Sequence, residues 1–281
     1  MEAKNDSHYV SVIIPTIGRS TLSFLLDALE HQTRKPDEVI IMKDEFRRGP
    51  SVMRNEGIAK AKGDLMAFLD DDVVPGCDWL EIFIKTIDEY NADVVSSNYL
   101  ETDPFLNDIR ERRKLPKKIV INPGGFAGIG GNIIYKKYAL DECYKKDGFV
   151  FDVHNMITQD IQLAARMLSY GYKFVWTVNY VKHLRRVNVL QFMKFQFNRG
   201  IGIQMLHSYK QSHKNLNVGS GMLWNEHSRR GNKWIFIILH RMIGPFDIKN
   251  FSRLRYFIIF WLGEKAKAIG FAYSTIRERL A

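Results

Sequence analysis

The sequence predicts an α/β protein, a doubly wound and mostly parallel sheet followed by a basic, helical extension. Three observations predict it. Short apolar, β-branched runs alternate with segments of helical periodicity through the first hundred residues. The first three runs end in polar residues, at Thr16, Asp44 and Asp70-Asp71-Asp72. The charge then changes sign: residues 181–281 carry 18 Lys and Arg against 4 Asp and Glu, whereas the first 180 carry 23 against 27.

The elements follow in order. Val10–Pro15 is apolar, β-branched and ended by proline, as a buried parallel strand is. Leu22, Leu25, Leu26 and Leu29 put one apolar face on a helix over Thr21–Gln32. Glu38–Met42 is expected to be a second buried strand. Ser51–Lys62 is the next helix, with Ser51 the expected N-cap after Pro50. Asp64–Leu69 is the third strand, Cys77–Tyr90 an amphipathic helix and Ala92–Ser96 the fourth strand. Residues 101–118 are charged and proline-punctuated, so an exposed loop or short helix is expected there. The glycine-rich Gly124–Gly131 precedes a strand over Asn132–Tyr135. Thr158–Tyr170 reads as a helix stopped by Gly171, and Lys173–Trp176 as a strand. After His183 the pattern is helical, basic and aromatic, over Val189–Ile203, Lys233–Ile243 and Phe251–Ile276. The charge change sets an expected boundary, with one domain over 1–185 and the extension over 186–281. No repeat or low-complexity tract interrupts either.

Composition narrows the class. A 46% hydrophobic fraction supports a sizeable core. Cys77 and Cys143 are the only cysteines and lie in no metal-ligand spacing, which fits a reducing, cytoplasmic setting. The N-terminal stretch has no apolar run flanked by basic residues, so no secretory leader is expected. The longest apolar stretches, Trp234–Leu239 and Tyr256–Leu262, fall well short of the roughly 20 residues of a spanning helix. A net charge of +10, concentrated at one end, points to an anionic partner such as a membrane surface, a polyanion or a phosphorylated acceptor. Nucleic acid is not expected, because the other end is acidic and no nucleic-acid-binding motif is present.

Ligands of doubly wound sheets bind beyond the carboxyl ends of the strands. Thr16, Asp44 and the aspartate triplet stand at three such ends. Three adjacent carboxylates raise one another's pKa unless a cation sits among them, and oxygen ligands favour a hard divalent ion such as Mg²⁺ or Mn²⁺. A solvated acidic turn is the plain alternative. Capping of turns is the plain alternative for Thr16 and Asp44. Gly124–Gly131 lacks the strand and helix that flank a dinucleotide-binding glycine motif, so that reading is rejected.

Together these residues resemble family 2 glycosyltransferases of the GT-A fold. The resemblance is carried by Val10–Thr16, His31–Thr33, Pro36–Met42, Arg54-Asn55-Glu56-Gly57 with Ala61–Asp64, and Phe68–Asp72 with Trp79-Leu80, all in the family's order and spacing. It covers about residues 9–185. It implies a GT-A-type sheet with a Rossmann-like nucleotide-binding half, a nucleotide-diphosphate-sugar donor, a divalent metal (Mn²⁺ or Mg²⁺) and inversion at the anomeric carbon. By position it implies that Thr16 and Asp44 meet the nucleoside and that Arg54 lies beside the base or diphosphate. Asp70 then approaches the ribose or sugar, with Asp71 among the donor contacts, and Asp72 ligates the metal. A histidine at His183 completes the metal site in similar enzymes, and Asp160 occupies the place of the catalytic base. The glycine-rich segment resembles the one beneath the acceptor and donor sugar.

The chain departs from the family pattern at three places. Ile17-Gly18 replaces Tyr-Asn, Lys43-Asp44 replaces two acids, and Gln159 replaces the glutamate before the base. The first two put nucleotide identity in doubt, and the third bears on acceptor preference. UDP is favoured because Asp44 suits a uracil imide, although guanine and thymine also offer ring N–H donors.

The expected function is sugar transfer to an acceptor hydroxyl in glycolipid, polysaccharide or glycoprotein-glycan assembly. Non-catalytic binding of a sugar nucleotide or polyanion on the same fold is the alternative. Aromatic residues mixed with lysine and arginine after residue 185 suit peripheral docking on the cytoplasmic membrane face, near a lipid-linked or glycan acceptor. Packing within the protein, or in a homo-oligomer, explains the same composition equally well.

Overall fold

The computed structural model describes residues 8–107, 118–122, 130–155, 157–212 and 254–280. The expected helix Lys233–Ile243, the first three residues of the one at Phe251–Ile276, the middle of the 101–118 segment and Gly124–Gly125 with Phe126–Ile129 fall outside these residues. The chain divides into two compact units, Met1–Leu100 with Pro116–Leu184 and Glu101–Leu115 with Arg185–Ala281.

The first unit is built on an eight-stranded sheet. Strand β1 (Val10–Thr16) is buried along its whole length. It pairs in parallel with β2 (Glu38–Lys43) on one side and β3 (Leu65–Leu69) on the other. This trio is the parallel half that the apolar runs predict, and its strands all end on one side; β2, at the sheet edge, is not buried as its apolar run suggests, since Val39 and Ile41 are exposed and only Met42 is buried. Beyond β3 the sheet turns antiparallel. Strand β7 (Asn132–Lys136) runs against both β3 and β5 (Val94–Glu101), so β3 and β5 point the same way. Next come β8 (Phe174–His183) and, at the edge, β4 (Val73–Pro75), antiparallel to each other, with the two-residue β6 (Val120–Ile121) also pairing with β8.

Helices α1 (Leu22–Glu30), α2 (Pro50–Lys60) and α3 (Trp79–Tyr90) follow β1, β2 and β4. The apolar face of α1 buries Leu25 and Leu29 in a cluster with Val12, Ile14, Leu69, Trp79 and Phe83. Each such side chain contributes about 1.5–3 kcal/mol on burial. On the other side of the sheet Phe68 meets Tyr135 and Phe151 edge-on, at 5.7 and 5.5 Å between ring centroids. Helix α2 lies close to β1 because Gly57 has no side chain: a Cβ there would strike Ile13.

The structure alters several local expectations. Gly49, at φ +98°, caps α2, with Pro50 in the first helical turn, where its fixed φ and missing N–H cost nothing. Ser51 is therefore inside the helix and donates its hydroxyl to Gln159 instead of capping. A helix that periodicity does not single out, α4 (Lys137–Asp147), buries only Ala139, Leu140 and Cys143 among its charges. Helix α5 (Gln159–Ser169) follows, and β8 then runs seven residues past Trp176 to His183.

In the second unit, α6 (Val189–Ser212) and α7 (Leu254–Leu280) pack along each other. Their backbones come close where Gly200 faces the carbonyl of Lys267 and Gly270 faces the carbonyl of Phe197; a Cβ at either glycine would overlap that carbonyl. Phe105 and Leu106, expected on an exposed segment, are buried with Phe192, and the rings of Phe105 and Phe192 meet edge-on at 4.8 Å. Among the described residues no helix is long and apolar enough to cross a membrane.

Candidate active site

Strand β3 is buried throughout and ends at Leu69, so three carboxylates leave the sheet together. They enter different surroundings. Asp71 is 3% exposed and accepts hydrogen bonds from Thr16 Oγ1 at 2.5 Å and Arg19 Nη1 at 2.6 Å. The same Arg19 nitrogen is 3.1 Å from Oδ2 of Asp72. The other oxygen of Asp72, Oδ1, lies 3.4 Å from Nε2 of His183. That approach follows from the register that sets Val73 of β4 opposite His183 of β8. Tyr99 flanks the imidazole at 5.0 Å between ring centroids. Asp70 turns the other way, toward α2, and accepts from Arg54 Nη2 at 2.9 Å.

Arg54 is buried, and its guanidinium also lies over the Phe151 ring, 5.6 Å from the centroid. The neighbouring Asn55 pins the same segment, since its side chain donates to the Phe151 carbonyl and accepts from the Phe151 N–H. Helix α2 thereby positions the chain that leads into α5.

Asp160 stands in the first turn of α5. Its Oδ1 accepts the N–H of Ile161 at 2.9 Å and its Oδ2 the N–H of Gly130 at 3.0 Å. Burial raises the pKa of this carboxyl above the ordinary aspartate value, with the Asp70 charge adding to it, while the Arg54 charge and both N–H groups oppose the rise. Gly131 is locked against Asp70: a Cβ there would fall on the Asp70 carboxylate, and its carbonyl accepts the Asp70 N–H. The two described residues of the glycine-rich segment thus connect Asp160 to Asp70.

Asp44 is buried at the end of β2, where its N–H donates to the Thr16 carbonyl. Its carboxylate is turned toward the entry of α2, with Oδ1 accepting from Arg48 N at 2.8 Å and Oδ2 from Gly49 N at 2.7 Å. Burial alone would raise its pKa; these two N–H groups outweigh burial and hold it below the ordinary value. Each oxygen keeps one lone pair beyond the turn it holds.

Thr16, Asp71, Asp72 and His183 therefore join in one chain of contacts, and Arg54, Asp70 and Asp160 in a second, while Asp44 stands beside them in a capping role. Arg19 is the participant that the sequence reading missed. It follows Gly18, whose φ of +86° and N–H bond to Thr16 Oγ1 shape the turn after β1. A cation just past a strand end, with three acids at the next strand end but one, is the signal that could have found it.

Residues 44–157 match the glycosyl transferase family 2 model. This segment is similar to family 2 glycosyltransferases. The match spans Asp44, Arg54 and the aspartate triplet, and stops short of Asp160 and His183. Glycosyltransferase AglE of Haloferax volcanii is 35% identical over 76 residues, which is 27% of this chain and a quarter (25%) of that protein. Among solved structures, the mannosyltransferase PcManGT of Pyrobaculum calidifontis, in complex with GDP-Man and Mn²⁺, superposes with a TM-score of 0.63. Identity is 13%, over 98% of this chain and 89% of that one. TarS of S. aureus gives a TM-score of 0.51 at 15% identity, over 96% of this chain and 55% of that one. The likeness to both structures is one of fold, and the fold is GT-A.

Asp72 and His183 fit a divalent cation. Two ligands at right angles, each about 2.1 Å from one octahedral ion, stand about 3 Å apart, close to the 3.4 Å between Asp72 Oδ1 and His183 Nε2. Among the described residues no set of three or more His, Cys, Asp or Glu side chains is arranged to hold a metal. Two side chains leave most of the coordination sphere to water and phosphate oxygens, which suits Mg²⁺ or Mn²⁺ rather than a fully caged ion.

Proposed function

We propose that this chain is an inverting glycosyltransferase that moves a sugar from a nucleotide-diphosphate-sugar, UDP-sugars favoured, to the hydroxyl of a glycan or lipid-linked acceptor. The observation that carries the reading is Asp160. It is a half-buried carboxylate with raised basicity, linked through Gly130-Gly131 to Asp70 of the triplet. A general base needs that character, because an ordinary aspartate is too weakly basic to take much of a hydroxyl proton.

In this reading the acceptor oxygen attacks the anomeric carbon as Asp160 takes its proton, and the carbon–oxygen bond to the donor diphosphate breaks on the opposite face. Arg54 offsets part of the negative charge around Asp70 and Asp160 and so opposes the rise in the Asp160 pKa. Asp70 approaches the ribose or sugar, and Thr16, Asp71 and Asp44 line the nucleoside end. Asp72 and His183 would hold a divalent ion, Mn²⁺ or Mg²⁺, whose charge stabilises the departing diphosphate. Gln159, committed to Ser51, adds no charge beside the base. Residues 186–281 serve peripheral attachment at the cytoplasmic membrane face, a proposal that rests on their charge.

The test pairs binding with turnover. Asp160→Asn should lower transfer by about 10²–10⁴-fold while keeping the thermal shift that a nucleotide sugar produces with Mn²⁺, with UDP-sugars giving the largest shift. Asp72→Ala should lose both transfer and the metal-dependent part of the shift. Unimpaired turnover in Asp160→Asn would sink the assignment of the base.

A further inference from the structure

Arg19 lies outside every role assigned above, yet it pairs with two of the three carboxylates of the acidic triplet. One nitrogen, Nη1, spans Asp71 Oδ1 at 2.6 Å and Asp72 Oδ2 at 3.1 Å. The two carboxylates differ in freedom. Asp71 is also gripped by Thr16 and is almost wholly buried, so it can remain an anchor. Asp72 presents its other oxygen to His183. The Arg19 side chain is 49% exposed, and a guanidinium has five N–H donors, so most of its donors remain for another anion.

We propose that Arg19 is a built-in counter-cation of the triplet: it neutralises Asp71 and Asp72 before the donor arrives, competes with the divalent ion for Asp72, and turns onto the donor diphosphate once displaced. This rests on the reading of Asp72 as a metal ligand. The physical argument is charge balance. An ion held by Asp72 and His183 would bring a second positive charge within a few ångströms of Nη1, and the two repel each other. A diphosphate removes that conflict, since it offers oxygens to both cations. Arg19 keeps Asp71 and swings its outer N–H groups to a phosphate in the bidentate manner that suits guanidinium. The consequence is coupling, with metal alone held weakly and metal with diphosphate held strongly.

Binding of Mn²⁺ to the full chain, followed by the electron paramagnetic resonance signal of the free ion, tests this without turnover. Without nucleotide, Arg19→Gln should bind Mn²⁺ about tenfold more tightly than wild type. Arg19→Lys, which keeps the charge, should stay within about threefold of wild type. With saturating Mn²⁺, UDP should bind Arg19→Gln about tenfold more weakly. Circular dichroism in EDTA verifies that each variant is folded. Unchanged or weaker Mn²⁺ affinity in Arg19→Gln overturns the proposal. Asp72→Ala separates the two levels: if it still binds Mn²⁺ as wild type does, the metal assignment fails and Arg19's role falls with it. If Asp72→Ala loses Mn²⁺ while Arg19→Gln gains nothing, only the role of Arg19 fails.

Discussion

Two aspartates at this site titrate in opposite directions, and the difference separates their roles. Asp44 gives its carboxylate to two backbone N–H groups and is held in the low range. Asp160 is raised by burial, with Asp70 adding and Arg54 opposing. For a base the ionised form is the active one, so kcat/KM should climb with pH as Asp160 loses its proton. The limb should lie above the ordinary aspartate value of about 3.9 and vanish in Asp160→Asn. Stability carries the opposite sign. A carboxyl whose folded pKa is raised supports the fold fully below its unfolded pKa and loses that support as pH climbs through the folded value. Asp160→Asn removes the charge but keeps an acceptor for only one of the Gly130 and Ile161 N–H groups, so the signature lies in the pH dependence of the midpoint rather than in its value at one pH. The unfolding temperature of Asp160→Asn should gain on that of wild type as pH climbs through the Asp160 pKa, as scanning calorimetry would read. A limb at the ordinary value, together with a midpoint difference that does not change with pH, would mean that Asp160 is only a helix-terminus aspartate.

At the scale of elements, helix geometry makes a sharper demand than helix composition. The pair α6 and α7 meets where Gly200 and Gly270 admit the opposite backbone, so a side chain at either must push the helices apart. Gly200→Leu should cost about 1–3 kcal/mol, whereas Ile276→Leu, exposed on α7, should change stability by less than about 0.5 kcal/mol. Equal midpoints for the two variants would refute the close crossing. The same distinction explains what the sequence made legible. Buried strands β1 and β3 and the apolar face of α1 announce themselves because their period and burial agree. Helix α4 does not, since its three buried residues are scattered among charges. Strand β4 is three residues long and ends in proline, so its pairing with β8, which brings His183 to Asp72, has no local signature. Among the candidate site residues, the aspartate triplet stands out by its place at a strand end, and Asp160 is singled out only by the family resemblance. Arg19 is harder to single out: its partners Asp71 and Asp72 lie 52 and 53 positions away, so a cation after one strand end gains meaning only when the parallel strand ends are brought together. The capping by Asp44 was hidden for a related reason: the positive φ of Gly49 creates the turn that its carboxylate receives.

On the scale of the whole molecule the controlling fact is charge. The excess of basic residues lies after residue 180, while the acidic residues outnumber the basic ones before it. On α7 a row of apolar side chains, Ile269, Tyr273 and Ile276, stays exposed at helical spacing, with Arg277 beside it. A basic helix with an exposed apolar row suits the interface of an anionic bilayer, where apolar residues enter the headgroup boundary and cations meet lipid phosphate. Packing against a second copy would cover the same row, and salt tells the two apart. Attraction to a charged surface is screened beyond about 10 Å at 0.1 M ionic strength and beyond about 3 Å at 1 M, whereas apolar burial is not weakened by salt. The full chain should co-sediment with vesicles containing anionic lipid at low salt, detach as salt rises toward 1 M, and ignore neutral vesicles under both conditions. No retention on the anionic vesicles, with a salt-insensitive dimer in sedimentation velocity, would assign the exposed row to a protein partner and leave the basic charge to the acceptor.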